Sequence, residues 1–145
     1  MITVANDNLA LMMEAGYIYL GMQRFDEAKE VFEGVSVLTP ENEIPIVALG
    51  GLSFCQGKLK EAIKHYEKAL KMIPESLFAK AYLGEALFFS GDRGKAETLL
   101  KEVDGAEPRG PVGDFARALL SAIGQGYTPE KLSQQKEIQE HYAKK

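Results

Sequence analysis

The chain of 145 residues has little cysteine, no tryptophan and no dense run of basic residues. Its one cysteine, Cys55, cannot form a disulfide within the chain and cannot alone hold a structural zinc ion. This suits a reducing compartment. The first residues lack a basic segment ahead of an apolar one and include Asp7 and Glu14, so no secretory signal is expected. The sequence therefore predicts a cytoplasmic protein.

Several classes of function lack their usual residues. No stretch approaches the roughly 18 uncharged apolar residues of a membrane-spanning helix. A net charge of −4 argues against nucleic-acid partners and anionic lipid surfaces. His65 and His141, with Cys55, are too few to complete a metal site. There is no glycine-rich phosphate loop and no acid pair in an apolar setting. We therefore expect no catalytic residues, no metal, no cofactor and no enzymatic activity, and we interpret Cys55 as a small apolar filler.

Residues of the same kind recur at a spacing of 34 along the chain. A glycine within a helix permits a close approach, an alanine can lie opposite it, and a proline ends a helix. This pattern predicts helix pairs in which glycine packs on alanine. The recurring sets are Gly16, Gly50 and Gly84; Ala28, Ala62 and Ala96; Phe32, Tyr66 and Leu100; and Pro40, Pro74 and Pro108.

The pattern predicts helices over about 7–21, 26–38, 43–56, 60–72, 77–90 and 94–104. Beyond Pro108, a break at residues 109–111 is followed by an apolar helical pattern and then by Thr128, which can cap a last helix starting at Pro129. The polar composition of this last segment suits the end of a stack of helices, where one face has no neighbour.

The repeat resembles the tetratricopeptide repeat family, whose unit is a helix–turn–helix of 34 residues. The resemblance implies an all-α, right-handed superhelical solenoid in one domain spanning 1–145. Its three repeats would cover about 9–42, 43–76 and 77–110, with C-terminal capping helices over about 112–124 and 129–143. The chain departs from the family pattern at Met12, Ile46 and Lys80, where an aromatic residue is usual.

Helical spacing places one stripe of each first helix about 100° from its glycine, facing the concave side of the solenoid. Because this predicted concave surface is strongly apolar, it is a candidate groove for binding a partner. Aromatic stripes often belong to a core, however, and the terminal helices could instead fill this groove. The predicted groove residues are Met13, Tyr17, Leu20, Ile44, Val47, Phe54, Phe78, Ala81, Glu85, Phe88 and Phe89.

The groove lacks the residues by which chaperone-binding members of the family hold a peptide carboxylate. Those members use Lys, Asn and Arg, whereas the corresponding residues here are Met13, Tyr17, Gly51, Phe78 and Tyr82. The groove therefore suits an apolar ligand, either an extended segment or an amphipathic helix of a protein partner.

A narrower resemblance is to the tetratricopeptide-type chaperones of bacterial type III secretion systems, in length, repeat number and terminal helix. It implies a chaperone or adaptor that covers an apolar segment of a secretion substrate or subunit. The alternative is a structural subunit that assembles a homo-oligomer, such as a homodimer, or a fixed complex.

Overall fold

The computed structural model describes residues 6–132, and this part of the chain is built from α-helices joined by short turns. A further helix begins at Pro129 and continues to the last described residue. The predicted helix boundaries lie within two residues of those observed, whereas the predicted helical segment 133–143 lies outside the described residues. The helices are α1 (Asn6–Gly21), α2 (Phe25–Leu38), α3 (Ile44–Cys55), α4 (Leu59–Met72), α5 (Leu77–Phe89), α6 (Arg93–Ala106) and α7 (Pro111–Gly124).

Consecutive helices pack against each other along the whole described chain, from α1 on α2 to α6 on α7. Contacts also join α3 to α5 and α5 to α7, so the first helices of successive pairs form one layer and α2, α4 and α6 form the other. This arrangement confirms the predicted all-α solenoid of three helix pairs followed by a capping helix. The first helices lie side by side and position the residues of the predicted groove.

The turn within each helix pair has the same geometry in all three repeats. Gln23, Gly57 and Gly91 have positive φ angles of 60°, 76° and 99°. The amide of the next residue then donates to a carbonyl five positions earlier, as Lys58 does to Ser53 at 2.8 Å. This left-handed ending satisfies the last carbonyls of the first helix and reverses the chain. The second helix can therefore return antiparallel to the first.

The repeated glycines make room for a large side chain of the second helix. A Cβ atom built on Gly16 would lie 2.4 Å from the ring of Phe32, and one built on Gly50 would lie 2.4 Å from the ring of Tyr66. At Gly84 the nearest atom belongs to Leu100, at 2.9 Å. The prediction that each glycine packs mainly on an alanine is therefore wrong, because its main neighbour is this large side chain. The alanines are nevertheless fully buried.

A polar corner fixes α7 on α6. The Arg117 guanidinium donates to the Asp104 carboxylate at 2.9 Å and to the Glu107 carbonyl at 3.1 Å, and it also pairs with Asp114. The Glu107 carboxylate in turn accepts the amide hydrogen of Gly113 in the first turn of α7. Capping a helix start with an acidic group is favourable because the exposed amides there carry partial positive charge. This corner sets how α7 lies against α5.

The start of the final helix agrees with its prediction from sequence. The Thr128 hydroxyl accepts from the Lys131 amide at 3.3 Å, and Pro129 is the first helical residue. Leu132 packs against the buried cluster of α5, α6 and α7. The chain therefore turns back toward the third repeat after α7.

Candidate protein-binding groove

The structure separates the predicted groove residues into an accessible group and a buried group. Tyr17 and Ile44 are exposed, with 45% and 38% of their surface in solvent. Leu20, Phe54, Phe78, Glu85 and Phe89 are partly exposed, whereas Met13, Val47, Ala81 and Phe88 are buried. The accessible group comes from α1, α3 and α5 and is therefore distributed over all three repeats.

The buried group corrects the expectation that the whole stripe faces a partner. Ala81 and Phe88 lie in one cluster with Ala116 and Ile123, because α7 packs on this side of α5. Met13 is buried with Phe32 in the first repeat. Met13, Ala81 and Phe88 therefore pack beneath the accessible groove residues and are not part of the accessible surface.

A central pocket of about 90 Å³ lies where α1, α3 and α5 meet. Val47 is buried yet lines this pocket, and Tyr66 reaches it from α4. From the sequence, Tyr66 was recognised only as a recurring position of the repeat, and it is not among the predicted groove residues. Tyr66 occupies the position whose side chain packs on the glycine of each repeat, and its ring also borders the pocket. The lining is Tyr17, Leu20, Val47, Ala48, Gly51, Tyr66, Phe78 and Tyr82.

A second pocket of about 510 Å³ lies at the rim, where α3 and α5 end. Phe54 and Phe89 meet edge to face there, with ring centroids 5.3 Å apart. Cys55 is exposed at this rim, so the interpretation of it as an apolar filler is wrong. The start of the final helix closes one side of the pocket. The lining is Phe54, Cys55, Gly57, Leu59, Phe89, Pro129, Glu130 and Leu132.

The chain itself covers part of the third repeat. Tyr82 stacks on Phe115 of α7 with ring centroids 5.3 Å apart, and Phe78 meets Tyr82 edge to face at 5.1 Å. The expected alternative of a self-filled groove therefore holds for one part of the wall. The central and rim pockets remain as concave apolar surfaces within the described chain.

Family models described as tetratricopeptide repeat match residues 9–42 and 54–123. The chain belongs to the tetratricopeptide repeat family. No curated protein matches its sequence. The departure from the family pattern at Lys80 is accommodated by a salt bridge, in which the ammonium lies 2.7 Å from the Glu102 carboxylate on α6.

Solved tetratricopeptide structures resemble the chain over most of its length. PcrH from Pseudomonas aeruginosa superposes with a TM-score of 0.70 at 18% identity, covering 83% of this chain and 95% of PcrH. The Yersinia enterocolitica type III secretion chaperone SycD, in complex with a peptide of the translocator YopD, gives 0.68 at 19% identity and covers 83% and 95%. The first repeat domain of Spaghetti (RPAP3), bound to an HSP90 peptide, gives 0.66 at 19% identity and covers 86% and 99%.

Residues 6–132 contain no group of three or more His, Cys, Asp or Glu side chains placed to hold a metal ion. In the same part of the chain, no helix has both the length and the apolar character needed to cross a membrane.

The tyrosines of the central pocket are held in their neutral, hydrogen-bearing form. Burial raises the pKa of Tyr66 well above its usual range, and the negative charge of Glu85 raises it further. Burial and Glu85 also raise the pKa of Tyr82, and burial raises that of Tyr17. The pocket therefore combines an apolar wall with phenolic hydroxyls that can donate to a ligand.

The raised pKa of Tyr66 predicts a loss of stability in alkali. Above about pH 10 the unfolded chain releases the phenolic proton, whereas the folded chain retains it. The free energy of unfolding therefore falls as the pH rises beyond this point. Urea denaturation at about pH 8 and about pH 11 is expected to show a smaller loss for Tyr66→Phe than for the unsubstituted chain. Equal losses in both proteins would show that Tyr66 is not the residue responsible.

Proposed function

We propose that the concave groove binds an apolar segment of a partner protein, either extended or as an amphipathic helix. The observation that carries this proposal is the pair of apolar pockets along the inner wall, lined from successive first helices. Concave apolar sites with a few polar groups are the usual form of a ligand-binding surface. The accessible residues Tyr17, Leu20, Phe54, Phe78 and Phe89 would contact the segment.

The chemistry of the wall favours an apolar ligand over a peptide carboxylate. A carboxylate is held by cationic or amide donors, but α1 and α3 contain no lysine or arginine. Spaghetti shares this fold while bound to an HSP90 peptide. In the present chain, Tyr17, Phe78 and Tyr82 occupy the inner positions, so we propose a different ligand class for it.

More specifically, we propose a cytoplasmic chaperone or adaptor that holds a substrate or subunit of a type III secretion system. The support is the likeness in fold to PcrH and to SycD, whose structure contains a peptide of the translocator YopD. A chaperone of this kind would cover an apolar segment that otherwise aggregates. The groove would act by binding alone, without chemical conversion of the partner.

A structural subunit is the second candidate, and it depends on a different surface. Leu11, Ile18 and Met22 recur along α1 and are exposed to 63%, 63% and 57%. Large exposed apolar side chains in one row are unusual on a monomeric protein and often mark a contact between chains. A homodimer or a fixed complex formed through this row would leave the groove without a separate role.

Co-purification from the native cell, followed by calorimetry with the recovered partner's apolar segment as a synthetic peptide, tests the binding function. We expect one peptide to bind per chain, and we expect the peptide to compete with the intact partner protein for the groove. Light scattering over a range of concentrations tests the alternative, which requires a mass independent of dilution and unchanged by the peptide. A partner that binds only through polar segments would contradict the proposed function.

A further inference from the structure

Charged residues are distributed unequally between the two layers of helices. The helices α1 and α3 contain no basic residue, and the single lysine of α5, Lys80, is 15% exposed and paired with Glu102. By contrast, α4 in the outer layer carries Lys60, Lys64, Lys68 and Lys71. A segment bound along α1, α3 and α5 would therefore meet little positive charge from these three helices.

Glu85 places a negative charge between the two pockets. In the third repeat it occupies the position of Tyr17 in the first, and its charge reaches the hydroxyls of Tyr66 and Tyr82 beside the central pocket. One turn further along α5, Phe89 lines the rim pocket, to which Glu130 adds a second carboxylate. Both pockets are therefore mainly apolar. One carboxylate, Glu85, lies between them on α5, and a second, Glu130, lies at the edge of the rim pocket.

We propose, resting on the groove function above, that the bound segment carries a lysine or arginine between two apolar anchors, with its cation against Glu85. Tyr82 and Phe89 mark the two pockets and are seven residues apart on α5, which is roughly 10 Å at a rise of about 1.5 Å per residue. An amphipathic helical segment alongside α5 has the same rise, so its residues i and i+7 cover this distance and share one face with residue i+4 between them. Both apolar anchors can therefore be seated while the residue between them faces the carboxylate.

The setting strengthens such a pair beyond an ion pair in open solvent. Glu85 is partly buried, and rings at Tyr82 and Phe89 lie one turn away on either side of it on the same helix. A partly desolvated carboxylate attracts a cation more strongly than an exposed one, and aromatic faces add further attraction. The charge would thus select among apolar segments that fit the two pockets equally well.

Labelled peptides that differ only in the central residue test this inference by fluorescence anisotropy. Each peptide is a helix-forming segment with leucines seven positions apart and with lysine, glutamine or glutamate at the fourth position after the first leucine. We expect the lysine peptide to bind about three- to tenfold more tightly than the glutamine peptide, and the glutamate peptide to bind most weakly. Glu85→Gln should remove this preference, and added salt should reduce it.

Glu14→Gln is the matched control, because it removes the same charge from an exposed position of α1 outside both pockets. This variant should keep the full preference for lysine. Equal binding of the three peptides would overturn the cation proposal alone, as would a lysine preference that survives Glu85→Gln. If none of the peptides binds, the groove function and the cation proposal both fail.

Discussion

Substitution of Tyr17 by glutamate is expected to weaken binding of the partner's apolar segment by about 100-fold or more while the helices persist. Tyr17 is 45% exposed and lines the central pocket beside Leu20 and Phe78. A carboxylate there must lose water when an apolar side chain enters, and removal of a central aromatic contact commonly costs about 2–4 kcal/mol. Calorimetry with the partner peptide measures the loss, and circular dichroism measures the helicity.

Two further glutamate substitutions make this result specific. Ile18→Glu changes the next residue of α1, which is 63% exposed and lines neither pocket, so peptide affinity should be unchanged. Phe88→Glu places the charge at a site that is 3% exposed, and it should unfold much of the chain, because a buried unpaired charge is strongly destabilising. Loss of helicity in Tyr17→Glu would assign Tyr17 to the core instead.

The Tyr17→Glu and Ile18→Glu variants also distinguish the two candidate functions. If the chain is a structural subunit that assembles through the exposed row of α1, Ile18→Glu should lower the mass measured by light scattering, whereas Tyr17→Glu should not. A binding groove predicts that Tyr17→Glu alone affects the partner. Opposite results from neighbouring residues of one helix would identify which surface is used.

The helix pairs were predictable because their signals are local. Proline ends a helix through its missing amide hydrogen, and Gly57 and Gly91 adopt the left-handed conformation that reverses the chain after a first helix. Each such effect depends on a few adjacent residues and recurs after 34 positions. Even the last helix start at Thr128 and Pro129 follows from capping chemistry alone.

The accessible part of the groove was only partly predictable, because it depends on which helices pack next to each other. Helical spacing assigned Tyr17 and Phe88 to the same stripe, yet α7 covers Phe88 and leaves Tyr17 at the surface. The path of α7 depends on the corner between Glu107, Gly113 and Arg117, whose contacts form only in the folded chain. No periodic pattern in the sequence encodes that corner.

The rim pocket was not predicted, because its walls are distant in sequence. Phe54 and Phe89 were recognised as groove residues, but Leu132 lines the same pocket only after the chain turns back beyond α7. Glycine was assigned its correct role, a close approach, but with the wrong partner. A contact between Gly50 and Tyr66 requires the orientation of a ring, which spacing alone does not specify.

Two adjacent glycines of α3 are expected to respond in opposite directions to the same substitution. Gly50→Ala should destabilise the chain by about 1–3 kcal/mol, because its Cβ would lie 2.4 Å from the Tyr66 ring. That ring is 1% exposed, so moving it away from the new Cβ would disturb the side chains packed around it. Gly51→Ala places its Cβ with no atom within 4 Å, and it should stabilise the helix by up to about 1 kcal/mol.

Urea denaturation of the two variants measures the difference directly, and the difference bears on the architecture as well as on one contact. If Gly50→Ala is destabilising and Gly51→Ala is not, then α3 packs on the Tyr66 ring through the face that carries Gly50. The face carrying Gly51 then remains open toward the central pocket. Equal stabilisation by both substitutions would mean that α4 does not approach α3 as closely as the Gly50–Tyr66 contact requires.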